Sequence, residues 1–396
     1  MKLTRPVSDA QFFAEWEEWR GTKKRSLHRT ELLICLLDVH RSIPKIAIVG
    51  SKGKGSTAAA LTMSLVNSGL MVGTVISPAY RTNRERIRMQ GKAISESDYA
   101  ELANDLERIR KQLPPITDGY LSPSGAYLSM ALKYFENKNV DVIIMEEGMG
   151  GKSDEISLLD FDLVVLTNVF LEHLGKIGDN LSEIAGDLLG VISIQTKYLV
   201  ADQQDKEVET IISKINTTRI KSEKFDLVSN SDIPAALKSN FQIAATAAKE
   251  LLQDYFPDKN LKPVVKLNLP GRYMFINNQL TGNQNWFIDA SNNPEALQLT
   301  LNYLRDINAK PNHAFVCFSN QNNREAGLKM LSDVAVTEVL INNPQSSVAV
   351  DESKAVSVSQ AISMAKGIDG LVMFLGTNWY VANILETLDV NTENWA

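Results

Sequence analysis

Cysteine and histidine are scarce in this chain, with two of the first and four of the second in 396 residues. Cys35 and Cys317 each sit inside an apolar run, so a disulfide framework and a cysteine-rich metal site are both excluded. Both are expected to be reduced thiols in the core. No apolar run approaches the length that spans a membrane, and the first residues lack the apolar stretch of a signal peptide. The expectation is a cytoplasmic protein with no membrane partner. Positive charge is not in excess either. The net charge of −6 gives a nucleic-acid partner no electrostatic support. Internal repeats and low-complexity tracts are missing. What remains, 44% hydrophobic and 22% charged residues, is the profile of an ordinary soluble globular protein, long enough for two or three domains.

Against this background one stretch stands out, Lys45-Ile-Ala-Ile-Val-Gly-Ser-Lys-Gly-Lys-Gly-Ser-Thr57. Its β-branched start reads as a buried strand. Gly50, Gly53 and Gly55 then allow a tight turn, and Ser56 and Thr57 open an alanine-rich helix. Backbone N–H groups and the positive end of the helix converge on one spot, where Lys54 adds a full charge. That arrangement suits the phosphates of a nucleotide. Ile48 stands where the strict Walker pattern wants its first glycine. A glycine-rich turn without a ligand is the plain alternative, and the lysine with Ser-Thr at a helix start weighs against it.

Strands and helices then alternate. After helices in the first 40 residues, strands are expected near Ile46, at Gly73–Ser77, Val140–Glu146 and Leu163–Asn168, with helices around Glu96–Gln112 and Ser124–Asn137 between them. This is the pattern of a parallel sheet with helices on both faces. Ligands bind beyond the carboxyl ends of such strands, where Ser77, Glu146 and Asn168 fall. The chain restarts near Leu267, with further strands at Trp286–Asp289, Ala314–Phe318, Thr337–Ile341 and Leu371–Leu375. A second α/β domain of about 130 residues is a natural size, and the cleft between the two is the default substrate site.

Two strand ends carry further chemistry. Glu146-Glu-Gly-Met-Gly-Gly-Lys-Ser-Asp154 brings a carboxylate beside the phosphate loop, suited to Mg²⁺, although a strand-end acid in a polar turn is the bland reading. Thr167-Asn-Val-Phe-Leu-Glu-His173 repeats the geometry one strand later. His28, His40 and His313 are read as structural. His173 differs because its strand should neighbour the phosphate loop.

With these residues in order, the chain resembles the folylpolyglutamate synthase/dihydrofolate synthase branch of the Mur ligase superfamily. The resemblance runs through Gly50–Thr57, Ile76-Ser-Pro-Ala-Tyr80, Glu85-Arg-Ile-Arg88, Gly91, Ile94-Ser95, Glu146–Gly151, Thr167-Asn168 and His173. It continues through Gly178–Ala185, Leu269-Pro-Gly-Arg272, Asp289-Ala-Ser-Asn-Asn-Pro294 and Gly376-Thr377. It implies a P-loop ATPase-type parallel sheet domain over residues 1–267 and a smaller Rossmann-like α/β domain over 268–396. It implies ATP and Mg²⁺, activation of a small-molecule carboxylate as an acyl phosphate, and attack by an amino acid or amine. Gly50, Ser51, Lys52, Gly53, Lys54, Gly55, Ser56 and Thr57 would hold the nucleotide, together with Asn240, Arg272 and Asp289. Ser56, Ser77, Glu146 and His173 would hold the metal, and Lys54, His173 and Arg272 would serve the chemistry. A monomer is also implied.

The departures matter as much. The family loop normally has Asn where Lys52 stands, and Leu188 falls where those enzymes carry a carbamylated lysine for a second Mg²⁺. Asn292 replaces a histidine, Ser319-Asn-Gln-Asn322 replaces a segment with two acids and a lysine, and Ala79 replaces another histidine. The adenine-binding Asn falls at or near Phe241, with Asn240 adjacent. The intact phosphate loop beside a rewritten acceptor side suggests a working ligase with a substrate other than, or additional to, folate. A genuine folate enzyme and a non-catalytic ATP-binding homologue are the alternatives.

Overall fold

The structure is a computed structural model, describing residues 7–39, 42–117, 119–225, 234–264, 267–276, 285–341 and 355–396. His40 lies outside the described residues.

Two sheets organise the chain. The first has eight strands in the order Thr218–Ile220, Tyr198–Ala201, Leu163–Leu166, Lys45–Val49, Val142–Glu146, Val72–Val75, Ile87–Met89 and Lys92–Ala93. All pairs are parallel except the two that build the last hairpin. The phosphate-loop strand lies at the centre because Ile46, Ala47, Ile48 and Val49 are all fully buried, which only a strand covered on both faces achieves. Its neighbours are the strands ending at Glu146 and at Leu166. The chain therefore leaves the sheet on both sides of the phosphate loop, at the crevice where strand order reverses.

On one face the helix Lys54–Asn67 packs against the helix Ala235–Tyr255. Fully buried Ala58, Ala59, Ala60, Ala244, Ala247 and Ala248 let their backbones come close. The other face is covered by the helices Val7–Trp19, Leu27–Leu37, Glu96–Arg110 and Pro123–Asn137, with Phe12 stacked on Tyr127 at 4.2 Å between ring centroids.

The second sheet has six strands, ordered Met274–Ile276, Asn285–Asp289, Leu371–Gly376, Pro311–Cys317, Ala335–Leu340 and Val356–Ser357. It is parallel except for its first strand. Every strand expected in this half is present, with ends shifted by a few residues. The hairpin Ile87–Met89/Lys92–Ala93 was not expected, since Arg86 and Arg88 gave that segment a charged look. Arg88 is nevertheless buried, its guanidinium donating to the carbonyls of Glu85, Gly91, Thr392 and Glu393 and lying 4.3 Å from the centroid of the Trp395 ring. The last residues thus return to the edge of the first sheet, where Lys92 and Asn394 form an antiparallel bridge.

One expectation fails. Cys35 is exposed and Cys317 only half-buried, so neither is a deep core thiol. Leu33 and Leu37 take the inward face of their helix, and Cys35, midway between them, points outward. Among the described residues no helix is long and apolar enough to cross a membrane.

Candidate active site

The phosphate loop is shaped by two glycines in left-handed conformations and laced to the neighbouring strand end. At Gly50, with φ of +133°, a Cβ would lie 2.2 Å from Thr167 Oγ1. At Gly53, with φ of +93°, it would meet Asn240 Oδ1 at 2.6 Å. Ser51 N–H donates to Asn168 O at 2.9 Å, and Phe170 N–H donates to Ser51 Oγ at 2.9 Å. These contacts settle which residue faces the loop. Asn240 lies against Gly53, whereas Phe241 is buried in the core.

Lys54 opens the helix after the loop and is held over it. Its Nζ donates to Gly50 O and lies 2.8 Å from Glu147 Oε1. Burial works against its charge, but Glu147, Glu172 and Glu146 outweigh burial and keep its pKa above the usual value. Glu147 was not singled out from the sequence, although it sits in the Glu146-Glu147 doublet. Its other oxygen, Oε2, is buried without a hydrogen-bond partner, as is Thr57 Oγ1 at the helix start. Burial pushes both Glu146 and Glu147 up to about 7, with Lys54 pulling each back down.

Glu146 closes in on the helix start. Its Oε1 would lie 3.5 Å from a Cβ at Gly55, an ordinary contact distance, so the carboxylate packs directly on the helix start. Ser77 N–H donates to Glu146 Oε2 at 3.3 Å, and Arg86 Nη1 donates to Ser77 Oγ at 3.3 Å. A carboxylate with the Ser56 and Ser77 hydroxyls is a hard-oxygen set, and the partnerless Thr57 hydroxyl and Glu147 oxygen beside it are groups a ligand would satisfy. The residues present therefore fit one Mg²⁺. His173 is less firmly placed. It is exposed, has φ of +49°, and its Nε2 lies 3.9 Å from Glu172 Oε2; partial loss of solvent around the ring lowers its pKa against the pull of Glu172. Among the described residues no three His, Cys, Asp or Glu side chains gather as a metal cluster. A second cation has even less to hold it. Leu188 is fully buried in the core beside Ile184 and Ala185, so its position carries packing and no ligand.

Across the cleft, the linker and the second sheet contribute Arg272 and Asp289. Arg272 Nη1 donates to Ala290 O at 3.2 Å and its Nη2 to Asn378 Oδ1 at 3.1 Å. Lys52 Nζ donates to the same Ala290 oxygen at 3.2 Å. Asp289 has partners on both oxygens, Tyr273 N at 3.0 Å and Thr300 Oγ1 at 2.7 Å, so it holds the linker in place. A small pocket of about 50 Å³ joins the two halves, lined by Ser56, Ser77, Tyr80, Glu146, Arg272 and Trp395 among others.

Three asparagines of the acceptor side are otherwise engaged. Asn292 Nδ2 donates to Ser319 Oγ, and Ser319 N–H donates back to Asn292 Oδ1, both at 2.9 Å. Asn293 and Asn320 cap the helices Pro294–Asp306 and Gln321–Met330 by accepting from Ala296 N and Asn323 N.

Comparison with known proteins agrees with this fold. Residues 48–281 match the Mur ligase middle domain, more than half of the chain. A probable bifunctional folylpolyglutamate synthase/dihydropteroate synthase of Haloferax volcanii is 36% identical over 159 residues, 39% of this chain and 18% of that protein. The chain thus matches under a fifth of that relative's length. A dihydrofolate synthase/folylpolyglutamate synthase of Buchnera aphidicola is 28% identical over 308 residues, 72% of each. Among solved structures, a bifunctional folylpolyglutamate synthase/dihydrofolate synthase from Yersinia pestis, complexed with AMPPNP and Mn ion, superposes with a TM-score of 0.78 at 19% identity. It covers 97% of this chain and 100% of that one. The chain belongs to the Mur ligase family, as a member resembling the folylpolyglutamate and dihydrofolate synthases.

Proposed function

We propose that this protein is an ATP- and Mg²⁺-dependent ligase that joins a small-molecule carboxylate to an amino acid or other amine. The observation that carries the reading is the phosphate loop with Lys54 held between Gly50 O and Glu147, opposite Lys52 and Arg272. In the first step a carboxylate oxygen attacks the γ-phosphorus of ATP, the bond to ADP breaks, and an acyl phosphate forms. In the second the amine nitrogen attacks the acyl carbon, inorganic phosphate leaves, and the nitrogen loses a proton. Lys54 and the loop N–H groups hold the β- and γ-phosphates, and Arg272 adds charge from the linker as negative charge shifts. Ser56, Ser77 and Glu146 would hold Mg²⁺, with His173 beside them on the neighbouring loop, and the metal would neutralise phosphate charge. Asn240, against the loop, would contact the base, and Asp289 would fix the nucleotide edge of the second domain. Residue 267 is taken as the division between the nucleotide domain and the second domain, in a monomeric cytoplasmic protein.

Asn292, Asn293 and Asn320, which suggested a different amine, are engaged in caps and clamps, so they give no reason to look first beyond the substrates in the relatives' names. A folate-type carboxylate with L-glutamate is the first pair to try, and wider carboxylate and amine libraries come second. ADP release that needs both substrates, with a product whose mass is their sum less one water, is the expected result. Nucleotide binding with no ADP release on any pair would favour a non-catalytic ATP-binding protein.

A further inference from the structure

Two cations, Lys52 from the phosphate loop and Arg272 from the linker, donate to a single neutral oxygen, the carbonyl of Ala290, each at 3.2 Å. Among the described residues neither has a carboxylate within ion-pair distance. Asp289, next to that carbonyl, already accepts a hydrogen bond on each oxygen. The hydroxyl of Ser291, the next residue along, is fully buried without a partner. Like charges gathered on one carbonyl repel, and removing them from water adds to the cost. Burial and then the Arg272 charge accordingly push Lys52 down to about 8. An anion between the two heads would turn that repulsion into attraction.

We propose that Lys52 and Arg272 form a phosphoryl-binding clamp at the junction of the two sheets, in which Lys52 grips the group being transferred rather than the ADP portion. This rests on the nucleotide reading above and adds a role for Lys52. Several observations decide which anion fits. Lys52 stands two residues before Lys54 in the loop, and its backbone is fixed by the bridge to Asn168. Its head therefore lies on the side of the loop that faces the second sheet, beyond the point where Lys54 is tethered by Gly50 O and Glu147. Lys54 and the loop amides reach the β- and γ-phosphates from the loop side, with or without Lys52. A third phosphoryl group extends toward the second sheet, where Lys52 and Arg272 wait. The clamp also places a lysine charge in a chain whose Leu188 position cannot hold a second metal.

Calorimetric titration of the whole protein with AMPPNP, with ADP, and with ADP plus inorganic phosphate, all with Mn²⁺, tests the clamp. Lys52→Met should weaken AMPPNP binding by about tenfold, the usual worth of one charge-assisted contact, while ADP binding stays as in the wild type. Lys52→Asn should show the same selective loss, and serves if the methionine variant folds poorly. Lys52→Arg should retain the preference for AMPPNP. Inorganic phosphate should bind to the ADP complex of the wild type and not to that of Lys52→Met. Equal weakening of AMPPNP and ADP, or no change in either, would overturn the clamp while leaving the nucleotide site standing. A wild-type protein that binds neither nucleotide would overturn the clamp and the ligase reading together.

Discussion

The phosphate-loop junction and the acceptor-side asparagines make opposite use of polar residues. On the first-sheet wall, Thr57 Oγ1 and Glu147 Oε2 are buried with no partner, and two cations crowd one carbonyl nearby. On the second-sheet wall, Ser291 Oγ beside that carbonyl is partnerless too, but the side-chain oxygens of Asn292, Asn293 and Asn320 each receive a backbone N–H of the protein itself. A wall that leaves its polar groups unsatisfied is shaped for something else to satisfy them. A wall that satisfies its own is holding its loops and helix starts in place. In the sequence both walls present rows of polar residues around glycine or proline, and which of these oxygens find partners within the protein is not written there.

The sharpest way to break this contrast is at Lys54. Lys54→Ala should lower nucleotide-dependent turnover by about a hundredfold to a thousandfold, since it removes a charge from the transferring phosphates. Glu147 loses its buried partner, so some stability should go with it, and a far-ultraviolet circular dichroism spectrum checks that the fold survives. Glu146→Gln comes next. It removes a charged oxygen from the set suited to Mg²⁺, so turnover should need far higher Mg²⁺, read from a metal titration of the initial rate.

The second wall should respond in stability instead. Asn292→Ala loses two hydrogen bonds to Ser319 and should cost ~1–2 kcal/mol in denaturant unfolding, with AMPPNP affinity unchanged. Asn320→Ala loses a helix cap and should cost ~1 kcal/mol. A strong loss of nucleotide or amine affinity in either, without loss of stability, would show that the second wall is a ligand surface too.

The smallest effect is one of pH, and it lies behind the first wall. Burial, and then the neighbouring Glu155 charge, push Asp154 up to about 7 from an ordinary value of 3.8. The folded state therefore prefers the protonated acid. Its ionised form costs stability as pH rises from about 4 through about 7, and the cost is fully present above that. Asp154→Asn removes the titration and keeps an acceptor for only one of the N–H groups of Met149 and Ile156, which the two carboxylate oxygens take separately. Its melting temperature should fall less than that of the wild type between pH 5 and pH 8, by a few degrees at most.

Much of the central architecture was legible because it is written in local pattern. The apolar strand before Gly50 and the alanine-rich helix after it could hardly be anything else, and the carboxyl-end rule then placed Glu146 next to them. The hairpin at Ile87–Ala93 was not legible, since its arginine looks exposed until the chain's last residues arrive more than 300 positions later to cover it. Cys35 was misjudged for a related reason. An apolar run predicts a helix well, but only the packing decides which of its residues face out. The site shows the same limit. The motif located Lys54 and Glu146, whereas the partnerless oxygen of Glu147, the shared carbonyl of Ala290 and the caps made by the asparagines are tertiary facts.

The contrast between the walls comes down to one titration, AMPPNP with Mn²⁺ into the wild type, Lys54→Ala and Asn292→Ala. The account predicts binding by the wild type, its loss in Lys54→Ala, and wild-type affinity in Asn292→Ala. Binding by Lys54→Ala as strong as the wild type's, or its loss in a stably folded Asn292→Ala, would contradict it.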